Sequence, residues 1–169
     1  LMMSKWEYGG VYKKYNMDGV IEIGTGKVKV HNIFDELPGF MKEADCLFID
    51  PPCSLGNINS FYTKAGRKDY QDDYYDFASR LFECIKEINP AKLFIEVFKS
   101  NKGGFVENCK ELYKHVDVYE TTYYHNKNNK CWVISCSNEQ TKYPFDGMDE
   151  EDVIQWVCKN VDYDCIGDL

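Results

Sequence analysis

The sequence has no apolar run approaching the roughly 18 residues that read as a membrane span. Its first residues, Leu1-Met2-Met3-Ser4-Lys5, lack the apolar centre of a signal peptide. A cytoplasmic protein with no membrane contact is the expectation. There is no Cys-x-x-Cys pair and no Cys/His cluster at zinc-finger spacing, and His31, His115 and His125 are scattered. No metal is therefore expected. The chain has 8 cysteines in 169 residues, but Cys46, Cys84, Cys109, Cys131, Cys158 and Cys165 fall inside apolar, periodic stretches, which reads as reduced core thiols and not a disulfide framework. A basic excess is also missing: 20 Lys plus Arg stand against 28 Asp plus Glu, a net charge of −8. That overall field repels polyanions, so contact with nucleic acid would have to come from local basic loops. No internal repeat is visible. The 44% apolar and 15% aromatic content excludes low-complexity disorder for the whole chain and suffices for the core of one domain, 1–169.

What is present is hydrophobic periodicity of two kinds. Residues 20–32 alternate as two short strands around Gly24-Thr25-Gly26, and Asp45 to Asp50 (DCLFID) is a short apolar run of buried-strand type. A polar loop, 54–68, follows. Between Asp69 and Ile88 the residues Tyr74, Phe77, Ala78, Leu81, Phe82, Ile85 and Ile88 keep helical three-and-four spacing, and Asn89-Pro90 is a stop signal. Lys92 to Phe98 (KLFIEVF) reads as a second buried strand and Gly104 to His115 as a helix. Val116 to Tyr124 and Lys130 to Ser135 read as a hairpin across Asn126-Lys127-Asn128-Asn129. Asn138 to Gly147, polar and holding Pro144, reads as a flexible connection. Asp149 caps a helix through Asn160, with Asp152 three residues on as a carboxylate variant of the capping box, and a strand begins in 161–169. This order predicts an α/β fold with a mostly parallel sheet and an antiparallel hairpin at its edge.

The stretch that carries chemistry is Asp50-Pro51-Pro52-Cys53, directly after the strand CLFI. Pro-Pro ends a strand in any protein, yet Pro usage of about 5% makes a chance Asp-Pro-Pro in a chain of this length an event of roughly 2%. An exocyclic amine on a nucleobase is a poor nucleophile because its lone pair is delocalised into the ring. A carboxylate and a backbone carbonyl that accept hydrogen bonds from that amine localise the lone pair and stabilise the positive charge that develops on nitrogen. Two prolines hold such a carbonyl at a fixed angle and offer no competing N–H.

On these residues the chain resembles the S-adenosylmethionine-dependent amino-methyltransferases of DNA, whose signature is (Asp/Asn/Ser)-Pro-Pro-(Tyr/Phe/Trp) after a strand. Asp in first place resembles the adenine-N6 branch. The resemblance implies a Rossmann-like methyltransferase sheet, S-adenosylmethionine as cofactor, DNA as partner and a flipped adenine as target. Asp50 and the carbonyl of Pro51 would engage the amine, Pro52 would fix the turn, and Asp50 would also border the cofactor. Cys53 departs from the pattern, since a thiol has no stacking face; Phe61 or Tyr62 would substitute, or activity would be reduced. In the permuted members of the family the catalytic motif comes first and the cofactor motif last, opening on an acidic residue at a strand end. Asp168 in Asp164-Cys-Ile-Gly-Asp-Leu169 matches that position, and the cofactor glycines would then follow Leu169. Glu22-Ile-Gly-Thr-Gly26 is not read as the glycine-rich loop, because Lys27 to Val30 continues in strand alternation.

Basic residues recur in three loops: Lys64, Arg67 and Lys68; Lys99 and Lys102; Lys127 and Lys130. With aromatic Phe61, Tyr62, Tyr123 and Tyr124 interleaved, they would form a local phosphate-holding and base-stacking patch beside Asp50. The leading expectation is a site-specific DNA (adenine-N6) methyltransferase, with this chain supplying the catalytic-motif part. The alternatives are a non-catalytic nucleic-acid-binding remnant or regulatory subunit of the same fold, and amino methylation of RNA or of a protein glutamine. Oligomeric state is open.

Overall fold

The computed structural model describes residues 20–23, 26–29 and 32–169. Strands β1 (Val20–Ile23) and β2 (Gly26–Lys29) pair antiparallel, in line with their alternation. Gly24 and Thr25 between them, like His31 and the amino terminus, lie outside the described residues.

The main sheet has five strands. β3 (Cys46–Ile49) pairs in parallel with β4 (Lys92–Val97) on one side and with the short β7 (Ile166–Gly167) on the other. β6 (Asn126–Ser137) runs antiparallel to both β4 and the edge strand β5 (His115–Tyr123), giving the order β5-β6-β4-β3-β7. The sheet is therefore mixed, with two parallel and two antiparallel ladders, and not mostly parallel as the element order suggested. The cause is the hairpin: its return strand inserts between β4 and β5 instead of adding outside them, so it makes two antiparallel ladders.

Strand alternation divides the core in two. Leu47, Ile49, Leu93, Ile95 and Val97 face one side, where α1 (Leu55–Lys64), α2 (Tyr74–Ile88) and α3 (Lys102–Leu112) bury Ile58, Leu81, Ile85, Phe105 and Cys109. Cys46, Phe48, Phe94 and Val133 face the other, against Val153 and Val157 of α4 (Glu150–Asn160) and the buried Phe145. α2 starts where Asp73 accepts a hydrogen bond from the N–H of Asp76 at 2.9 Å and ends where Asn89 takes the left-handed conformation (φ 53°), a position that Asn tolerates well. Asp149 caps α4 in the expected way, accepting from the N–H of Asp152 at 3.0 Å. The carboxylate of Asp45 accepts the N–H of Asp164 at 2.9 Å and of Cys165 at 2.8 Å, which ties β7 to the start of β3.

Three local expectations change. The polar segment after Asp50 contains α1: Ser54 accepts from the N–H of Asn57 at 3.3 Å to cap it, and Leu55, Ile58 and Tyr62 form its inward stripe. The hairpin turns at Tyr124-His125, and Asn126–Asn129 already belong to β6. The segment 138–147 is not a free linker, because Phe145 is fully buried and the N–H of Tyr143 donates to the Tyr119 hydroxyl at 3.0 Å. All eight cysteines are free thiols; Cys158 and Cys165 are exposed and not core. Among the described residues no helix is long and apolar enough to cross a membrane.

Candidate active site

Asp50 leaves the carboxyl end of β3, and Pro51 behind it is buried. The loop is latched at successive carbonyls. The Tyr74 hydroxyl donates to the carbonyl of Pro52 at 2.7 Å and accepts from Asn101 Nδ2 at 2.9 Å. Asn101, itself buried, accepts from the N–H of Phe98 at 2.8 Å, and the Ser100 hydroxyl donates to the carbonyl of Cys53 at 3.3 Å. The turn after β3 is thus fastened to the turn after β4 and to the first residue of α2. The Cys53 thiol donates to Asn57 Oδ1 at 2.9 Å, so this side chain closes onto α1.

Asp50 keeps an exposed face, yet protein crowds its other sides; the lost hydration first, and the Glu150 charge second, push its carboxyl up to about 6. Register explains its neighbours. Ile49 pairs with Ile95, so Asp50 and Glu96 come next on adjacent parallel strands. Glu96 shares the parity of Phe94 and faces the α4 side, opposite Val133. Only 3% of Glu96 is exposed, and its Oε1 has no hydrogen-bond partner. Burial raises its carboxyl far above the ordinary range, assisted by a hydrogen bond shared with Glu150 and by the charges of Asp50 and Glu150. Cys131 and Thr121 complete this layer: their Sγ and Oγ1 lie 3.3 Å apart, and burial pushes the thiol up to about 11. The result is an acidic cluster of Asp50, Glu96 and Glu150, called the basin below, and among the described residues no basic group acts on Glu96. Glu96 and Glu150 were not singled out in the sequence; the signal was a carboxylate inside the apolar run KLFIEVF.

The other candidate residues spread around this centre. Asp168 is exposed and follows β7, so it leaves the same edge of the sheet as Asp50, one strand over. Phe61 carries the Lys64 ammonium 5.7 Å from its ring. Tyr62 packs edge-on against Tyr70 with centroids 5.9 Å apart, in the core layer opposite Glu96. Tyr123 senses the basin: its phenol is raised by burial and then by the charges of Glu150, Tyr124, Asp50 and Glu96. Phe98 lies beside it, centroids 6.4 Å apart.

Because β5 runs in the direction of β4, the hairpin with Lys127 and Lys130 and the β4 turn with Lys99 and Lys102 share the edge that Asp50 occupies. Lys64, Arg67 and Lys68 are reached only after α1, whose ten residues span about 15 Å. Several of these cations are already engaged: Arg67 with Asp35 at 3.6 Å, Lys127 with Asp149 at 3.8 Å, Lys130 with Glu120 at 2.6 Å. Lys102 lies 4.3 Å over the Trp132 ring. Among the described residues, Lys64, Lys68, Lys99 and Lys102 make no ion pair with a carboxylate. A cleft of about 550 Å³ between the hairpin and residues 146–147, lined by Glu120, Thr122, Lys127, Lys130 and Asp146, does not include Asp50. Its mixed charges give it no preference for an anion or a cation.

No protein-family model matches the chain, and no curated protein matches it.

Proposed function

We propose that this chain carries the catalytic motif of a methyltransferase that modifies the N6 amine of a flipped adenine in DNA, with S-adenosylmethionine as methyl donor. The observation that carries the reading is the Asp50-Pro51-Pro52 turn, fixed by Tyr74, Asn101 and Ser100 at the carboxyl end of a parallel strand and open beside an acidic basin. Four of the five strands point one way, the reversed strand is second from one edge, and helices cover both faces, which supports a Rossmann-like sheet of the methyltransferase kind.

In this reading the Asp50 carboxylate and the Pro51 carbonyl each accept a hydrogen bond from the amine, which returns its lone pair from the ring to nitrogen. The same two oxygens stabilise the positive charge that grows as nitrogen takes the methyl group. Asp50 must be ionised to do so. The extra amine proton leaves through Asp50 to water. The donor supplies a methyl carbon on a sulfonium, a leaving group that needs no further activation. The chain's residues suit such a cation: the Asp50 carboxylate lies at the motif, and Asp168 leaves the neighbouring strand on the same edge. Tyr123 and Phe98 offer an aromatic surface beside the basin in place of the one that Cys53 lacks.

The second reading, binding of nucleic acid without transfer, is favoured by Cys53, whose thiol is turned to Asn57 and stacks on nothing. The experiment is transfer of a radiolabelled methyl group into DNA by a protein containing this chain, with Asp50→Asn alongside. Label in N6-methyladenine that disappears with Asp50→Asn supports the first reading. DNA retained without label supports the second.

A further inference from the structure

Glu96 of β4, Cys131 of β6 and Glu150 at the first turn of α4 each bring one donor atom into a group whose members lie within 4.8 Å of one another. One observation shows that the group is not satisfied by protein alone. Glu96 is 97% buried by its 3% exposure, and its Oε1 reaches no hydrogen-bond donor. Beside it stand the carboxyls of Asp50 and Glu150; the hydrogen bond shared with Glu150 satisfies one oxygen and leaves Oε1 without a partner. A buried carboxylate is ordinarily paired with a cation, bound to a metal or protonated. Here three donors from three elements converge, and among the described residues no Lys or Arg forms an ion pair with Glu96 or Glu150.

We propose that Glu96, Cys131 and Glu150 bind one divalent transition-metal ion of the zinc class. A thiolate with two carboxylate oxygens suits zinc and its cobalt surrogate, and the sulfur selects against magnesium and calcium, which take oxygen ligands. At the usual bond lengths of about 2.0–2.3 Å, tetrahedral ligands stand roughly 3.5 Å from one another. The 4.8 Å group can reach this by side-chain adjustment. Three protein ligands leave a fourth position for water. Binding displaces the thiol proton of Cys131 and any proton held between Glu96 and Glu150 into the buffer; nothing is oxidised or reduced. The Thr121 hydroxyl, 3.3 Å from the sulfur, donates to the thiolate so formed and orients it. Cys131 is fully buried, whereas Glu150 is half-buried and Asp50 exposed, so the ion enters from the Asp50 side. Glu96 lies beside Asp50 on the adjacent strand, and the proposal does not rest on the role given to Asp50.

The test is titration of the full chain, stripped with a chelator, with Co²⁺ alone and then Zn²⁺ alone. One equivalent of Co²⁺ should give a thiolate-to-cobalt charge-transfer band that Zn²⁺ removes by competition. Cys131→Ser should abolish the band, and Glu96→Gln or the less buried Glu150→Gln should weaken binding at least about tenfold. The double variant Cys158→Ser/Cys165→Ser, at exposed thiols, should keep it. Absence of a band from the folded wild-type chain overturns the proposal, as does a band that survives Cys131→Ser or is lost with the exposed thiols. If Cys131→Ser fails to fold, an unchanged affinity in Glu150→Gln overturns it by itself.

Discussion

Tyr74→Phe isolates the latch that positions the motif. The substitution removes one oxygen and leaves the ring, which stacks on Phe77 with centroids 5.7 Å apart and planes 27° from parallel. Two hydrogen bonds are lost, to the Pro52 carbonyl at 2.7 Å and from Asn101 Nδ2 at 2.9 Å. Burial holds the Tyr74 phenol up to about 12, so the hydroxyl is a neutral donor throughout the pH range in which the chain is studied. The two losses are unequal. Pro52 is half-buried and its carbonyl regains water, at a net cost of about 1 kcal/mol. Asn101 is 4% exposed and its freed amide finds no solvent, which costs about 1–3 kcal/mol. A total of about 2–4 kcal/mol lowers the melting temperature of a chain of this size by about 4–16 °C. Urea unfolding should show the loss at an unchanged m-value. A double-mutant cycle with Asn101→Ala should give a coupling of at least about 0.5 kcal/mol. Because the same hydroxyl fixes the Pro52 carbonyl next to Asp50, methyl transfer should fall more than binding of the amine. A variant within about 0.5 kcal/mol of wild type, additive with Asn101→Ala, would refute the latch.

Transfer should decline as pH falls through about 6, because burial and the Glu150 charge raise Asp50 to that value and only its ionised form accepts both the amine hydrogen bonds and the developing charge; a flat profile from pH 5 to 8 in single-turnover assays would contradict this. The same shift has a stability sign: the folded state binds a proton below about 6 that the unfolded Asp releases near its ordinary value, so this group favours folding more at pH 5 than at pH 7. Phe145→Ala should destabilise by about 3–5 kcal/mol, since the fully buried ring packs on Phe94, Tyr119 and Trp156; rapid proteolysis of segment 138–147 in the wild type would refute the packing. Changing Lys99 and Lys102 together to Ala should reduce the salt dependence of DNA binding by about 2 in log–log slope. The pair Lys127 and Lys130, already held by Asp149 and Glu120, should change it less, and the reverse order in fluorescence anisotropy would remove the patch at the β4 turn.

Elements whose signals are local were legible, and those made by tertiary contact were not. α2 announces itself because seven apolar positions, an Asp cap and an Asn stop agree within one segment. α1 does not: Gly56, Asn57, Asn59 and Ser60 give it a loop composition, and what holds it is burial of Ile58, 1% exposed, under the sheet. Asn126-Lys-Asn-Asn129 imitates a turn by composition, while the actual turn uses Tyr124 and His125, whose rings lie 3.6 Å apart. Segment 138–147 reads as flexible by its polar residues, yet Tyr143 and Phe145 stack with planes 4° from parallel and bring the segment into the core.

The site divides along the same line. Asp50-Pro51-Pro52 was visible because the proposed chemistry needs adjacent residues, and adjacency is what a sequence displays. Its supports were not visible, because Tyr74, Asn101 and Ser100 meet the turn only when β3 and β4 pair in register. Glu96 stands between these cases. A carboxylate in KLFIEVF is a local anomaly, since burial of a charge must be compensated by something. What compensates it depends on two registers that no local pattern encodes: β4 on β6, which sets Glu96 opposite Val133 two residues from Cys131, and the N-terminus of α4 against the sheet, which brings Glu150 to the same point. The anomaly therefore identifies the position, and only the folded neighbours identify the chemistry. Glu96→Leu separates the two uses of that position. If Glu96 only fills space, the apolar substitution stabilises the chain and leaves Co²⁺ binding unchanged. If it is a ligand, the variant gains stability without metal and loses the additional stability that Zn²⁺ confers on the wild type.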